Sequence, residues 1–356
     1  MAEQGTDVVR STQRTQRAEG MNQDPVFGKQ WGNLDSAGPG PRDMIAVRMH
    51  RFGAPPLIER VPVPEAGAAE VLVKMAATVV SHHDLTVASG AFAVRPALPY
   101  TPGLEGAGIV ASLGEGVDPG AVVPGSPVRL YGGGLGATRP GTWAEYVVVP
   151  ARAVLPVPSS LDPGVAAACG SVALTAWIAL VDVGSMRPEE CVGVTGASGA
   201  VGSLVTQLAL QRGASRVVAF VRSEERAGSL PPGLVAVVGD ASPEVPIDLL
   251  VDTVGGSSLS SRVGLVRQGG RVVYLGYTAG QEVCFTIPNL LARDVPLLPV
   301  NMMRRRPPED LESRLVDQFA AGELRVATLD YDAREFSAAI AHLRNGGSGG
   351  RVVVRW

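Results

Sequence analysis

Three glycines carry the most specific chemistry in this chain. Gly196, Gly199 and Gly202 stand at G-x-x-G-x-x-G spacing inside VGVTGASGAVGSLVTQLALQRGA. The apolar run ending at Thr195 predicts a buried strand, and the uncharged run beyond Gly199, to about Arg212, predicts a helix. A strand that turns through small residues into a helix brings the backbone close to a pyrophosphate. It also aims the helix's first N–H groups at the phosphates. Ser198, Ala200 and Val201 share that turn and are expected to line it. A bare glycine triplet is a weak signal, because three close glycines can simply form a loop. The order strand, loop, helix makes it a dinucleotide site.

The next strand, RVVAFV, should end beneath the adenosine ribose. An NAD site commonly offers Asp or Glu there, for the 2′-hydroxyl. This chain offers Val221, Arg222 and Ser223, and a guanidinium beside a hydroxyl suits a 2′-phosphate by charge and by fork geometry. The expected cofactor is NADPH. The alternative for Arg222 is a solvated charge at a strand end, and Glu224 and Glu225 follow on the helix side.

Composition narrows the function classes. Lys+Arg number 31 against Asp+Glu 34, a formal net charge of -3, so the basic excess of a nucleic-acid surface is missing. Cys169, Cys191 and Cys284, the three cysteines, lie far apart, which excludes a disulfide framework and a four-cysteine zinc lobe. Two uncharged stretches, 165–181 and 191–211, are rich in Ala, Gly, Ser and Thr and read as buried parts of the fold, not as membrane spans. The first residues hold no apolar core of a secretory signal, and the expected location is cytoplasmic.

The 356 residues suggest about two domains, at roughly 100–200 residues each. Residues 1–43 are polar and aperiodic and read as a flexible extension. From MIAVRMHRF to about residue 165, short strands alternate with Gly/Pro turns: EVLVKMAA, GAGIVASLG, SPVRLYGG, TWAEYVVVP. From 166 to about 304 the texture becomes helix and strand in alternation, with VGVTG, RVVAFV, LVAVVGD, IDLLVDTV and RVVYLGY as parallel strands buried on both faces. Only ASPEVP separates LVAVVGD from IDLLVDTV, too short for a helical crossover, so the doubly wound sheet is expected to be trimmed. In 305–356, DLESRLVDQFAAGEL and REFSAAIAHLRNG read as amphipathic helices before a last strand, GRVVVRW.

SHHDLTVASG, TPGLEGAGIV, the turn after GVDPGAVVPGSPV, TWAEYVVVP, ALTAW and TGASGAVG, in this order, resemble the medium-chain dehydrogenase/reductase superfamily over about residues 44–356. Within it, the quinone oxidoreductase and enoyl reductase branch is the most similar. The resemblance implies a GroES-like β-barrel catalytic domain (44–165, with 305–356 returning to it) joined to a Rossmann NADPH-binding domain (166–304), the active site in the cleft between them. It also implies a homodimer.

Zinc-dependent members of that superfamily hold Cys, His and a third ligand where this chain has Ser81, Leu104 and Ser171. Catalytic zinc wants three protein ligands and an open position, so no metal is expected. Cys169 is two residues out of register, and His82, His83 and Glu105 are a remote alternative trio. Without a Lewis acid, conjugate reduction is the less demanding chemistry, because charge spreads onto an enolate. The implied substrates are enones, enoyl thioesters or quinone-like acceptors.

The proton donor is less defined. Relatives often carry a Tyr where this chain has Phe92, and an Asn where it has Ser81. His82 matches a His near the nicotinamide ribose in zinc enzymes and is one candidate, for positioning or proton relay; Tyr100 is the other. Their alternatives are a surface His and a core Tyr. The family pattern also places Thr175 near the nicotinamide, and Thr253, Val254, Gly276 and Tyr277 at strand ends facing the cofactor. Arg351 resembles a basic cofactor contact, with surface charge as the alternative. A catalytically silent NADPH-binding sensor or partner protein, or a specialised biosynthetic reductase, are the rival functions.

Overall fold

A computed structural model describes Trp31, residues 42–118, Gly120, residues 122–346 and residues 350–356. The expected N-terminal extension therefore lies outside the described residues except for Trp31, Arg42 and Asp43. Trp31 donates its indole N–H to the Ser159 carbonyl at 3.1 Å.

The first half runs β1 (Asp43–Arg48), β2 (Leu57–Pro62), β3 (Glu70–Val80), α1 (His82–Ala88), β4 (Glu105–Leu113), β5 (Pro127–Tyr131), β6 (Tyr146–Pro150) and β7 (Val154–Pro156). β1 and β2 form a hairpin missed by strand signals in the sequence, because β2 is short and largely exposed. The long β3 sits at the centre of a mixed sheet ordered β14-β15-β3-β4-β5-β7, with β6 also pairing to β3. Its β14 (Thr328–Asp332) and β15 (Arg351–Arg355) come from the C-terminal segment, so the chain returns to the first half. Of these, β14 gave no strand signal: TLDYD is polar and exposed on alternate residues.

The second half begins with α2 (Pro163–Trp177) and continues β8 (Cys191–Thr195), α3 (Ala200–Gln211), β9 (Arg216–Val221), α4 (Glu224–Gly228), β10 (Leu234–Val238), β11 (Ile247–Asp252), α5 (Ser257–Val263), β12 (Val266–Tyr274), α6 (Ile287–Arg293) and β13 (Leu297–Pro299). All neighbours in its sheet, β10-β9-β8-β11-β12-β13, are parallel. No helix joins β10 to β11, and α4 has only 5 residues, so the expected trimming is real. α5 lays Arg262 over the Phe220 ring, 4.3 Å from its centroid, on the sheet face beside that short link.

Two further helices, α7 (Leu311–Ala320) and α8 (Phe336–Arg344), close the chain before β15. With its continuation to Val183, α2 is long and apolar enough to span a membrane by composition, but most of it is buried inside the protein. It starts on an Asp162 cap and Pro163, and its Ala and Gly residues let elements crowd against it. One core cluster joins Ala77, Val79 and Ala107 of the first sheet, the α2 alanines, Val192, Val194 and Leu204 of the second half, and Leu315 and Phe319 of α7. Arg129 of β5, almost wholly buried, pairs with Glu312 of α7 at 2.7 Å across the same region.

Candidate functional site

The glycine loop has the geometry that its spacing predicts. β8 ends at Thr195, Gly196 takes a φ of +60°, and Gly199 caps α3 with its N–H on the Gly196 carbonyl at 2.8 Å. A Cβ on Gly196 would strike Thr253 Oγ1 and Val254, and one on Gly202 would overlap the Gly196 carbonyl. Both positions therefore need glycine, because loop, helix and the end of β11 are packed at backbone distance. Ser198, Ala200 and Val201 remain partly accessible around the same turn.

The strand ends converge. Thr195 Oγ1 donates to Asp252 Oδ1 at 2.6 Å and accepts from the Thr253 N–H at 2.9 Å, while Thr253 Oγ1 donates to the Thr195 carbonyl at 2.7 Å. Asp252 is fully buried and also accepts the Gly255 N–H at 2.7 Å; its burial pushes the carboxyl above the ordinary range. Gly276 lies against the Thr253 carbonyl with no room for a Cβ, and Tyr277 beside it is 62% exposed. Thr195, Thr253, Val254, Gly276 and Tyr277 thus stand at the carboxyl edge of one parallel sheet, where such folds hold ligands. Asp252 was missed because its buried role depends on Thr195, distant in sequence.

β9 ends at Val221, so Arg222 and Ser223 occupy the expected strand end. Ser223 caps α4, and the exposed Arg222 reaches the Gly346 carbonyl at 3.3 Å. Glu224 and Glu225 point into the first turn of α4, as exposed residues.

In the first half, α1 begins on a capping box in which Ser81 accepts the Asp84 N–H and Asp84 accepts the Ser81 N–H. Ser81 Oγ also donates to Asp84 Oδ2 at 2.5 Å, and the Leu104 N–H donates to Oδ1 at 2.9 Å. Asp84 is 1% exposed, and burial raises its carboxyl pKa to about 6. The S-x-x-D spacing of a capping box could have flagged this carboxylate in the sequence. Next to Leu104, Glu105 forms a buried ion pair with Arg351, whose Nη1 donates to Ser171 Oγ at 3.2 Å and to the Ala168 carbonyl at 3.1 Å. Thr175 Oγ1 donates to the Ser171 carbonyl at 2.7 Å, one turn along α2.

Arg351 is therefore not the surface charge that was one of its two readings. Its Nη groups are spent inside the protein, on Glu105, Ser171 and the Ala168 carbonyl. His82 is exposed at the start of α1. His83 packs its ring against Phe92, centroids 4.8 Å apart, and desolvation lowers its pKa against the opposing pull of Glu105. Tyr100 lies in a core cluster with Met49, Val87 and Ala88; its hydroxyl is buried without a protein partner, and burial raises its pKa further.

Ser81, Leu104 and Ser171, where the resemblance implies zinc ligands in zinc-dependent members, offer a different donor set. Ser81 is bonded to Asp84, Leu104 offers an apolar side chain, and Ser171 serves Arg351. These donors do not suit zinc, which takes His nitrogen, Cys sulfur and carboxylate oxygen. Among the described residues no group of three or more His, Cys, Asp or Glu side chains is placed to hold a metal ion, and the His82, His83 and Glu105 trio is not assembled.

Comparison with known proteins agrees with this two-part build. The "Alcohol dehydrogenase GroES-like domain" matches residues 67–159, "NAD(P)H-binding" matches 196–249, and "Zinc-binding dehydrogenase" matches 235–354. The chain is 32% identical over 265 residues to a quinone oxidoreductase of Mus musculus, covering 68% of this chain and 76% of that one. It is 30% identical over 345 residues to an alcohol dehydrogenase of Rhizobium meliloti (strain 1021), covering 87% and 98%. The solved structure of a thermostable alcohol dehydrogenase from Pyrobaculum aerophilum superposes with a TM-score of 0.76 at 25% identity, over 88% of this chain and 100% of that one.

Proposed function

The chain belongs to the medium-chain dehydrogenase/reductase superfamily, in its quinone oxidoreductase-like branch, and from that premise we propose an NADPH-dependent reductase of activated C=C bonds or quinones that works without zinc. It is an NAD(P)-dependent oxidoreductase of GroES-like plus Rossmann architecture. The observation that carries the finer reading is the donor set at the positions where the resemblance implies a metal: a hydroxyl bonded to Asp84, an apolar side chain and a hydroxyl bonded to Arg351. Such a wall cannot polarise a carbonyl as a Lewis acid would, and conjugate reduction asks less of it.

When bound, the reduced nicotinamide supplies the hydride. The residues around it bind and orient. Ser198, Gly199, Ala200 and Val201 offer backbone to the pyrophosphate, with Gly196 and Gly202 permitting the close approach. Arg222 and Ser223 take the 2′-phosphate; Thr175, Thr253, Val254, Gly276 and Tyr277 frame the nicotinamide side; His82 positions the cofactor or relays a proton. A homodimer through the free edge of β13 belongs to the same reading, supported by the exposed Ile287 (65%) and Leu291 (76%) of α6 and by Met303 (86%). The setting is proposed to be cytoplasmic and reducing.

The test is NADPH oxidation across a panel of enones, quinones and enoyl thioesters, with elemental analysis of the same dialysed protein. Turnover with at least one class and no stoichiometric zinc is expected. Tight NADPH binding with no turnover of any acceptor would favour a silent sensor, and about one zinc per chain would overturn the metal-free reading.

A further inference from the structure

A capping box needs two bonds, one from each partner to the other's backbone N–H. Ser81 and Asp84 make those two and more. The Ser81 hydroxyl proton points at Asp84 Oδ2, 2.5 Å away, and the Leu104 N–H holds Oδ1 at 2.9 Å. A surface cap keeps its carboxylate in water, whereas this one is 1% exposed. Ser81 stays half-buried, so of the pair it is the one with surface left open. The pair also lies in a chain of contacts that leads through Leu104, Glu105, Arg351 and Ser171 to the α2 face bearing Thr175.

We propose that Ser81 is a catalytic residue, the proton donor to the reduced substrate, and that Asp84 is its positioning residue, orienting the hydroxyl and replacing its proton. This rests on the reductase reading above. After hydride reaches the β-carbon, the π electrons move to the acceptor oxygen. With Asp84 protonated, its carboxyl O–H donates to Ser81 Oγ and the Ser81 hydroxyl proton turns from Oδ2 to the substrate; the Ser81 O–H bond then breaks as that proton goes to that oxygen or to the α-carbon. The carboxyl O–H bond of Asp84 breaks in turn, its proton closing a new O–H bond on Ser81, and solvent later reprotonates the carboxylate. Oxidant and reductant are those of the overall reaction, and the dyad moves protons only.

The surroundings suit this task. Burial raises the Asp84 carboxyl to about 6, in spite of three hydrogen bonds, so about a tenth of it carries a proton at pH 7. Glu105 repels its charge but is itself neutralised by Arg351. His82 and His83 adjoin it on α1, and the neutral Tyr100 phenol faces it from the segment before β4. Tyr100 itself has a hydroxyl too deeply buried to meet a substrate.

The test compares wild type, Ser81→Ala, Ser81→Thr and Asp84→Asn, with cyclohexenone and a naphthoquinone as acceptors. Ser81→Ala should lower kcat by about a hundredfold or more, the usual scale of general acid catalysis, with NADPH affinity unchanged by fluorescence titration. Ser81→Thr keeps cap and hydroxyl and should recover kcat to within about fivefold of wild type. Wild-type kcat should fall as pH rises through about 6, and this limb should vanish in Asp84→Asn. An infrared carboxyl band titrating near the same pH in the cofactor-free protein, absent from Asp84→Asn, reads the group without turnover. Should Asp84→Asn fail to fold, the Ser81 pair decides alone. Wild-type kcat in Ser81→Ala, or an unchanged pH limb in folded Asp84→Asn, overturns the dyad. A wild type that turns over no acceptor overturns the reductase reading instead.

Discussion

Glu105 and Arg351 stand 246 positions apart and close into one buried ion pair, each side chain 7% exposed. Glu105 opens β4 and Arg351 opens β15, so the pair fastens the chain's return to the sheet it left, and Arg351 extends the bond to Ser171 on α2. Removing one partner strands the other charge in a dry site. Arg351→Ala should therefore cost about 3–5 kcal/mol of unfolding free energy. Urea denaturation at pH 7 measures this. A loss below about 1 kcal/mol would mean that water reaches Glu105 in solution.

Asp84 predicts a pH dependence of stability opposite to that of an ordinary ion-paired carboxylate. Its folded pKa, about 6, lies above the unfolded value near 3.9, so the folded state binds the proton more tightly. Stability from this group is fully present below about pH 4 and is lost as pH rises through about 6. That difference corresponds to about 2–3 kcal/mol. Denaturation midpoints measured from pH 4 to 7 should decline across that window in wild type and flatten in Asp84→Asn. Identical profiles would show the carboxylate to be hydrated.

Cofactor choice should reside in Arg222. A charge-assisted bond to a 2′-phosphate contributes about 1.5–3 kcal/mol, roughly a ten- to hundredfold preference for NADPH over NADH. Arg222→Ala should erase most of that preference and leave NADH affinity nearly intact. Calorimetric titration of both cofactors into both proteins distinguishes the outcomes; equal wild-type affinities would move attention to Arg226, one turn into α4.

The two donors expected from the sequence should separate under mutation. Tyr100→Phe removes a buried hydroxyl that has no protein partner, so turnover should stay within about twofold and stability should hold or rise slightly. His82→Ala should lower kcat more than it weakens NADPH binding, as its proposed role in positioning or relay requires, and should leave the melt unchanged because the exposed ring contributes nothing to the core. Steady-state kinetics beside a thermal melt reads both. A large loss in Tyr100→Phe would mean that the core around Met49 opens during the reaction.

The legible parts of this molecule are those whose signal is local. Buried parallel strands announce themselves as β-branched runs, and Gly196 and Gly202 by spacing, because strand, turn and helix are contiguous in sequence. The missed parts are made by distance. Nothing near Arg351 reveals Glu105, and nothing near Asp252 reveals Thr195; only folding brings them together. β2 and β14 escaped because each is short and faces water, leaving pairing rather than hydrophobic pattern to define it. Asp84 was readable as a helix cap but not as a buried acid, since burial depends on the Leu104 segment lying over it.

The shared helix α2 has a consequence for how the molecule comes apart. Its alanines pack at once against both sheets and α7, in a single apolar cluster, so neither half owns a complete interior. Cutting the chain on either side of α2 would give two fragments, each presenting a bare greasy flank. Heating should accordingly melt both halves in one calorimetric peak, with an enthalpy scaled to the two halves together, rather than in two steps. The helix that joins the two halves is thus also the keystone of the interior, and neither half can lose it without exposing its own core.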